Sequence, residues 1–208
     1  LNGAHTSMVL GAYLAGQDIV RDCMKDDVIR GYMNQAIYKE IIPTLTLPEE
    51  ELMSFAASVT DRFQNPFIDH ALLSISLNST AKWKARVLPS LEGYLEKTGQ
   101  VPPCLSASLA FYLAFYKGIG FVDATFTGDR NVKNQYPISD DPKVLEFYDA
   151  HKDDSAADYV HAVLSETSFW GKDLTTLAGL EETVVKDFTF IQEKGCYELM
   201  KQIVNAAE

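Results

Sequence analysis

The stretch LSASLAFYLAFYK, from Leu105 to Lys117, decides the fold. Apolar residues fill most of its positions, among them Leu109, Phe111, Leu113 and Phe115. A helix that is apolar on all sides is buried in a core or spans a membrane. This stretch is shorter than the roughly 20 residues that a membrane span requires. We therefore predict a core helix, with a helix held against another domain as the alternative.

Helical periodicity continues on both sides of this core helix. From Thr6 to Met24, apolar residues recur three and four positions apart, as on a helix packed along one face. Pro48 and the three glutamates after it are typical of a first helical turn, and Asp140-Asp141-Pro142 is typical of a helix cap. Helices are predicted at residues 6–24, 27–42, 48–64, 67–77, 82–97, 105–117, 142–152, 155–166, 180–193 and 195–207.

Residues 118–140 interrupt this pattern. They contain Gly118, Gly120, Gly128 and Pro137 and few periodic apolar positions, so we predict one long loop there, a feature that is often functional in compact domains. Taken together, the patterns predict an all-α fold of about ten helices.

The composition fits one compact domain and excludes several partners. The chain has 208 residues, of which 47% are hydrophobic and 23% are charged, enough to bury a sizeable core. Its formal net charge of -11 argues against nucleic acid and against an anionic membrane as partners, because both would repel it. The cysteines Cys23, Cys104 and Cys196 are widely spaced and odd in number, which is typical of buried thiols in a reducing cytoplasm. The histidines and cysteines follow no zinc-ligand spacing.

The first residues, LNGAHT, place an amide and an imidazole on one helical face. Asn2 and His5 are three positions apart and can point at one small ligand. An amide and an imidazole together suit a polarised carbonyl and a neighbouring hydroxyl. The alternative is that Asn2 or Thr6 caps the helix and His5 is an ordinary residue of its first turn.

A second group of polar residues is cationic. Lys82, Lys84 and Arg86 lie close together in an acidic chain. If Ser79 or Thr80 caps the following helix, these cations lie in its first turns, where the helix dipole disfavours them. A substrate carboxylate would compensate, and so would neighbouring acidic side chains. Lys82 and Arg86 share a face, whereas Lys84 points away.

Three blocks of sequence resemble a known family in the expected order. They are LNGAHTSMVLGAYLAGQDIVRDCM (residues 1–24), RFQNP (62–66) and SISLNSTAK (74–82). Together they resemble the C-terminal domain of the mannitol dehydrogenase family, the polyol-specific long-chain dehydrogenases. The resemblance implies a multi-helical domain like the C-terminal domain of 6-phosphogluconate dehydrogenase. We therefore expect residues 1–208 to form one substrate-binding domain, which packs on an N-terminal Rossmann nucleotide-binding domain that this sequence does not include.

The same resemblance implies catalytic roles. The family motif Lys-x4-Asn-x2-His matches Asn2 and His5, and its lysine, the general acid, would precede Leu1. Asn2 would hydrogen-bond the developing oxyanion, His5 would orient an adjacent hydroxyl, and Lys82 would hold a hydroxyl or the carboxylate. NAD would be held mainly by the upstream domain, and no metal is required. The 208-residue chain alone is therefore expected to be inactive.

One departure from the family pattern points to the substrate. Polyol-oxidising members usually carry an arginine eight positions before Lys82, and this chain has Ser74 there. The serine favours the uronate-reducing branch, and the implied reaction is hydride transfer between NAD(H) and C3 of a tagaturonate/altronate pair. Arg86, Asn78 and His70 are further candidates for substrate binding, although His70 is equally well interpreted as a buried structural histidine.

Other functions stay open at this stage. Fructuronate, mannitol or mannitol 1-phosphate would also suit a member of this family. A helical interaction module without catalysis is the alternative from a different class. A large exposed apolar patch near the N-terminus would indicate a domain interface instead.

Overall fold

The structure is a computed structural model that describes residues 2–65, 68–130 and 134–208. Its centre is α8 (Pro103–Tyr116), which is buried along nearly its whole length. The helices that pack most extensively on it are α1 (Asn2–Leu14) and α12 (Leu180–Lys194). The prediction of a buried core helix is confirmed.

The remaining helices surround this core. They are α2 (Val20–Lys25), α3 (Asp27–Gln35), α4 (Glu49–Phe63), α5 (Leu72–Ile75), α6 (Ser79–Arg86), α7 (Leu88–Thr98), α9 (Pro142–Ala150), α10 (Ala156–Leu164), α11 (Thr167–Trp170) and α13 (Cys196–Ala206). A π-helical turn (Ala36–Ile41) and two short 3-10 helices (Ile42–Thr44 and Leu174–Thr176) complete them. Within the described residues no helix has both the length and the apolar character that a membrane span needs.

Close backbone packing brings α1 onto α8. A Cβ atom added at Gly11 would lie 2.6 Å from the Phe111 ring, so the small residue lets the two helices approach. The Tyr32 hydroxyl donates to the Cys104 carbonyl at 2.6 Å and ties α3 to the start of α8. Cys23, Cys104 and Cys196 are buried free thiols, as predicted.

The start of α8 is held by a buried carboxylate that the sequence did not point to. Glu40 is 2% exposed and lies in the π-helical turn. Its carboxylate accepts hydrogen bonds from the backbone N–H groups of Cys104 and Leu105, both at 2.9 Å. Burial raises the pKa of Glu40, while these hydrogen bonds oppose the shift. The carboxylate thus caps α8, because it accepts hydrogen bonds from N–H groups that have no partner within the helix.

The helix predicted over residues 6–24 is wrong as a single element. It is divided after Leu14, and Gly16 has a φ of 112°. The chain beyond Gly16 pairs with the segment before α5, through hydrogen bonds from Leu72 N to Asp18 O and from Val20 N to His70 O, both 2.9 Å. This pairing holds the backbone of His70 against the start of α2.

Other predicted helices are shorter than the periodicity suggested. The helix predicted at 67–77 is reduced to α5, and its first residue, Phe67, lies outside the described residues. The helix predicted at 82–97 is divided at Val87 into α6 and α7, because Pro89 favours a new first turn. Asp141 and Ser155 do cap α9 and α10 through their side chains, as the sequence predicted for Asp141.

The long loop predicted at 118–140 is also wrong. A three-stranded antiparallel sheet occupies the described part of it, in the order β1 (Gly120–Val122), β2 (Thr125–Asp129), β3 (Gln135–Pro137). Gly128 faces the Tyr136 ring so closely that a side chain there would collide with it. Arg130 fixes the sheet to the end of α1, since it forms an ion pair with Asp18 at 2.7 Å and lies over the Tyr13 ring.

Candidate functional site

The contact between α1 and α6 positions the two candidate catalytic side chains. Gly3 lies between Asn2 and His5 in sequence, and a Cβ atom there would lie 2.6 Å from the Arg86 carbonyl oxygen. The missing side chain therefore lets the first turn of α1 rest on the last turn of α6. This brings Asn2 and His5 next to the cationic segment that follows Asn78.

A pocket of about 260 Å³ opens between the start of α1 and α4. The His5 ring stacks on the Phe63 ring with centroids 4.6 Å apart. The predicted sharing of one face by Asn2 and His5 is confirmed, since both line this pocket. Its lining residues are Asn2, His5, Phe55, Val59, Arg62 and Phe63.

His5 carries an unused polar atom. Its Nε2 is buried and has no hydrogen-bond partner in the described structure. The pKa of His5 is lowered from its ordinary 6.5 to about 4, chiefly by burial and in addition by the charges of His70, Arg86 and Lys82. The ring is therefore neutral at pH 7 and can exchange one hydrogen bond with a ligand hydroxyl.

Lys82 lies near this pocket but does not line it. Its ammonium donates to the Ile75 carbonyl at 2.7 Å and faces a separate crevice of about 10 Å³, beside Thr6 and Val9. Burial lowers the pKa of Lys82, followed by the nearby charge of Arg86, while Asp140 opposes the shift. Arg86 is exposed. Both cations act on His5 through their charge.

A buried network holds the start of α6. Neither Ser79 nor Thr80 caps this helix, since the cap position is Asn78 and its side chain makes no capping bond. Thr80 instead donates its hydroxyl to Asp140 at 2.9 Å, and Tyr116 donates to the same carboxylate at 2.6 Å. Asp140 is thus a negative group at the first turn of α6, and its charge acts on Lys82, against the shift that burial causes.

The other predicted substrate-binding residues do not line this pocket. The His70 ring centroid is 6.1 Å from that of His5, and His70 is exposed, so it is not a buried structural histidine. Ser74 is exposed on α5, and Asn78 is exposed with a φ of 54°. Their roles in binding stay predictions.

Sequence reasoning missed the α4 side of the pocket. Phe55, Val59 and Arg62 recur three and four positions apart, so the periodicity of α4 could have placed them on one face. What it could not supply is the partner of that face, which lies about 50 residues earlier in the chain. No group of three His, Cys, Asp or Glu side chains suited to a metal ion occurs among the residues that the structure describes.

Residues 1–192 match the family described as the mannitol dehydrogenase C-terminal domain. The chain belongs to this family. The resemblance stated from the sequence blocks is thereby confirmed, and so is the mainly helical architecture.

Curated relatives of this mannitol dehydrogenase C-terminal domain are named altronate oxidoreductase. The protein from Klebsiella pneumoniae (strain 342) is 42% identical over 209 residues, which cover 98% of this chain and 41% of that protein. The one from Yersinia enterocolitica serotype O:8 / biotype 1B is 41% identical over 201 residues, 94% of this chain and 39% of that protein. The chain thus spans about two fifths of the length of the curated relatives that it matches.

A solved structure has the same fold. Mannitol 2-dehydrogenase of Pseudomonas fluorescens, in a ternary complex with NAD and D-mannitol, superposes with a TM-score of 0.83 at 19% identity. The superposition covers 99% of this chain and 39% of that one. At this identity the match shows the fold of the mannitol dehydrogenase C-terminal domain and nothing about its substrate.

Proposed function

We propose that this chain is the substrate-binding C-terminal domain of an NAD-dependent oxidoreductase that interconverts tagaturonate and altronate. The observation that carries the proposal is the buried, unpartnered Nε2 of His5, in a pocket that it shares with Asn2. A buried polar atom without a partner costs free energy unless a ligand binds it. The names of the curated relatives at 41–42% identity support the choice of a sugar acid as substrate.

In this proposal Asn2 and His5 act on adjacent oxygens of the substrate. The Asn2 amide donates to the carbonyl oxygen that gains negative charge during reduction. Neutral His5 holds the neighbouring hydroxyl and so fixes the orientation of the carbon chain. The motif lysine that precedes Leu1 in the family supplies the proton to the forming alkoxide.

The cationic segment supplies a positive field for an acidic substrate. Lys82 and Arg86 both act on His5 by charge, so a carboxylate bound nearby is attracted to the same region. Ser74 and Asn78 lie on the same chain segment, and His70 borders it. Ser74 leaves space where polyol-oxidising relatives carry an arginine.

The described pocket does not by itself fit a dinucleotide. Its volume of about 260 Å³ is below the usual range for drug-sized ligands, about 300–1,000 Å³. The sequence also lacks the Gly-rich nucleotide fingerprint. We therefore assign NAD, the source of the hydride, to a separate nucleotide-binding domain in the longer protein, and we assign no residue of this chain to it.

The surface of α4 supports such a partner domain. α4 buries only Leu52 and Ala56 among its described side chains. Large apolar side chains are exposed along it and at both of its ends: Leu45, Leu47, Met53, Phe55 and Ile68. A patch of this kind, next to a candidate active site, is typical of an interface.

Steady-state kinetics of the longer protein test the proposal. With NADH we expect turnover of tagaturonate in preference to fructuronate, and in the reverse direction turnover of altronate in preference to mannitol and mannitol 1-phosphate. Asn2→Ala and His5→Asn should each lower kcat/KM by about a hundredfold. His161→Asn is the matched control, because His161 is exposed and paired with Glu181 at 2.7 Å. The 208-residue chain alone should be inactive.

Other outcomes would overturn the proposal in distinct ways. Turnover of mannitol or fructuronate without tagaturonate would reassign the substrate within the family. Absence of any NAD-dependent turnover by the longer protein would favour a helical module without catalysis. Activity of the 208-residue chain alone would contradict the assignment of the general acid and of NAD to another domain.

A further inference from the structure

The arginines of this chain divide into two groups. Three of them form ion pairs with an aspartate: Arg21 with Asp69 at 2.5 Å, Arg30 with Asp27 at 2.6 Å, and Arg130 with Asp18 at 2.7 Å. For the other two, Arg62 and Arg86, no carboxylate of the described residues lies within 4.0 Å. In a chain with a net charge of -11, two arginines without acidic partners beside one histidine need a separate explanation.

Of these two arginines, Arg62 reaches the pocket. It lies on the face of α4 that lines the pocket opposite Asn2 and His5, whereas Arg86 is not among the lining residues. Its Nε makes only a long hydrogen bond, 3.4 Å, to the Ser58 carbonyl of the same helix. The terminal nitrogens of the guanidinium are therefore free to bind a ligand, within the part of the chain that the structure describes.

Lys82 is less well placed to bind a carboxylate. Its ammonium already donates to Ile75 and faces a crevice of about 10 Å³, which is about the space that one water molecule requires. A carboxylate cannot enter there unless the side chain moves. The pocket beside Arg62 is about 26 times larger, from 260 Å³ against 10 Å³.

We infer that Arg62 binds the carboxylate of the substrate. The inference rests on the proposed function, since it assigns a residue to the recognition of that substrate class. A guanidinium forms two parallel hydrogen bonds with a carboxylate, which gives both affinity and orientation. Phe55 and Val59, on the same face of α4, offer an apolar wall for the carbon chain.

Kinetics and binding with a matched pair of ligands test this role in the longer protein. Arg62→Gln should raise KM for tagaturonate by about ten- to a hundredfold, the loss expected for a hydrogen-bonded charge pair. It should leave kcat nearly unchanged. For Arg62→Lys the KM should lie between those of the wild type and of Arg62→Gln, because lysine keeps the positive charge but cannot form two parallel hydrogen bonds. Lys201→Gln is the control that removes one exposed positive charge on α13.

Binding measurements distinguish a loss of carboxylate recognition from a general loss of structure in the variant. By calorimetry, Arg62→Gln should weaken binding of D-altronate and leave binding of its neutral counterpart D-altritol unchanged. Equal effects on both ligands, or no effect on either with an unchanged Tm, would overturn the inference. Failure of the wild-type protein to turn over tagaturonate would overturn the proposed function instead, and the comparison of altronate with altritol would still decide the role of Arg62.

Discussion

The single residue His5 should make the stability of the domain depend on pH, because its pKa in the folded protein lies far below its ordinary value. The folded pKa is about 4, against 6.5 for an exposed histidine. Between these values the unfolded chain binds a proton that the folded chain does not, so His5 lowers stability as the pH falls from 7 toward 4. The loss between pH 7 and pH 5 amounts to about 2 kcal/mol.

His5→Gln should remove this part of the pH dependence. The free energy of unfolding of the 208-residue chain, measured by urea titration at pH 7 and pH 5, should fall by about 2 kcal/mol less in the variant than in the wild type. Equal losses in the two proteins would mean that His5 is solvated or already protonated in the folded state.

The sequence predicted individual residues where one helical turn was enough to relate them. Asn2 and His5 share a face because positions three apart do so on any helix, and the structure places both in one pocket. Arg62 belongs to the same pocket from a different helix. Neither its spacing nor its chemistry indicated which helix would lie opposite, since that contact depends on how α4 docks.

Among the helices, the close contact between α1 and α6 should be sensitive to any side chain added at Gly3. In Gly3→Ala the new methyl group would lie 2.6 Å from the Arg86 backbone oxygen, which no rotation of a side chain can relieve. Gly3→Ala should therefore lower the free energy of unfolding by about 1 to 3 kcal/mol. The clash should also displace α1 from α6. Because Asn2 and His5 move with this helix, Gly3→Ala should lower kcat/KM in the longer protein.

Gly31→Ala is the matched control for this packing. It is also a helical glycine, but a Cβ atom there would lie 3.4 Å from the Val204 side chain, an ordinary contact. Since alanine favours a helix over glycine, this variant should be neutral or more stable by up to about 1 kcal/mol. Equal destabilisation in both variants would mean that helical glycine itself is required, rather than space against α6.

Elements whose order depends on distant partners were the ones that periodicity predicted wrongly. Apolar spacing continues from α1 into α2, yet residues around Ile19 pair with Ala71 and break the helix. The sheet was missed because β1 and β3 are only three residues long. Its first turn also uses Asp123 and Ala124 at positive φ, without the usual glycine.

For the whole molecule, the exposed side chains are not evenly spread. Leu47 and Met53 are 60% and 42% exposed beside α4, and Phe121 and Val122 are 46% and 42% exposed on β1. If α4 faces a nucleotide-binding domain in the longer protein, Leu47 and Met53 are buried in that interface. Phe121 and Val122 are also exposed and apolar, and they serve as the control. Burial of each such side chain contributes about 1 kcal/mol or more.

The double substitution Leu47→Ser with Met53→Ser should therefore have different consequences in the 208-residue chain and in the longer protein. In the 208-residue chain it should reduce self-association, seen by light scattering, without lowering Tm. In the longer protein it should lower Tm by several degrees, because the interface loses about 2 kcal/mol. Phe121→Ser with Val122→Ser should have the same effect in both proteins. An equal loss of stability in both proteins would mean that α4 packs within this domain and that the partner docks elsewhere.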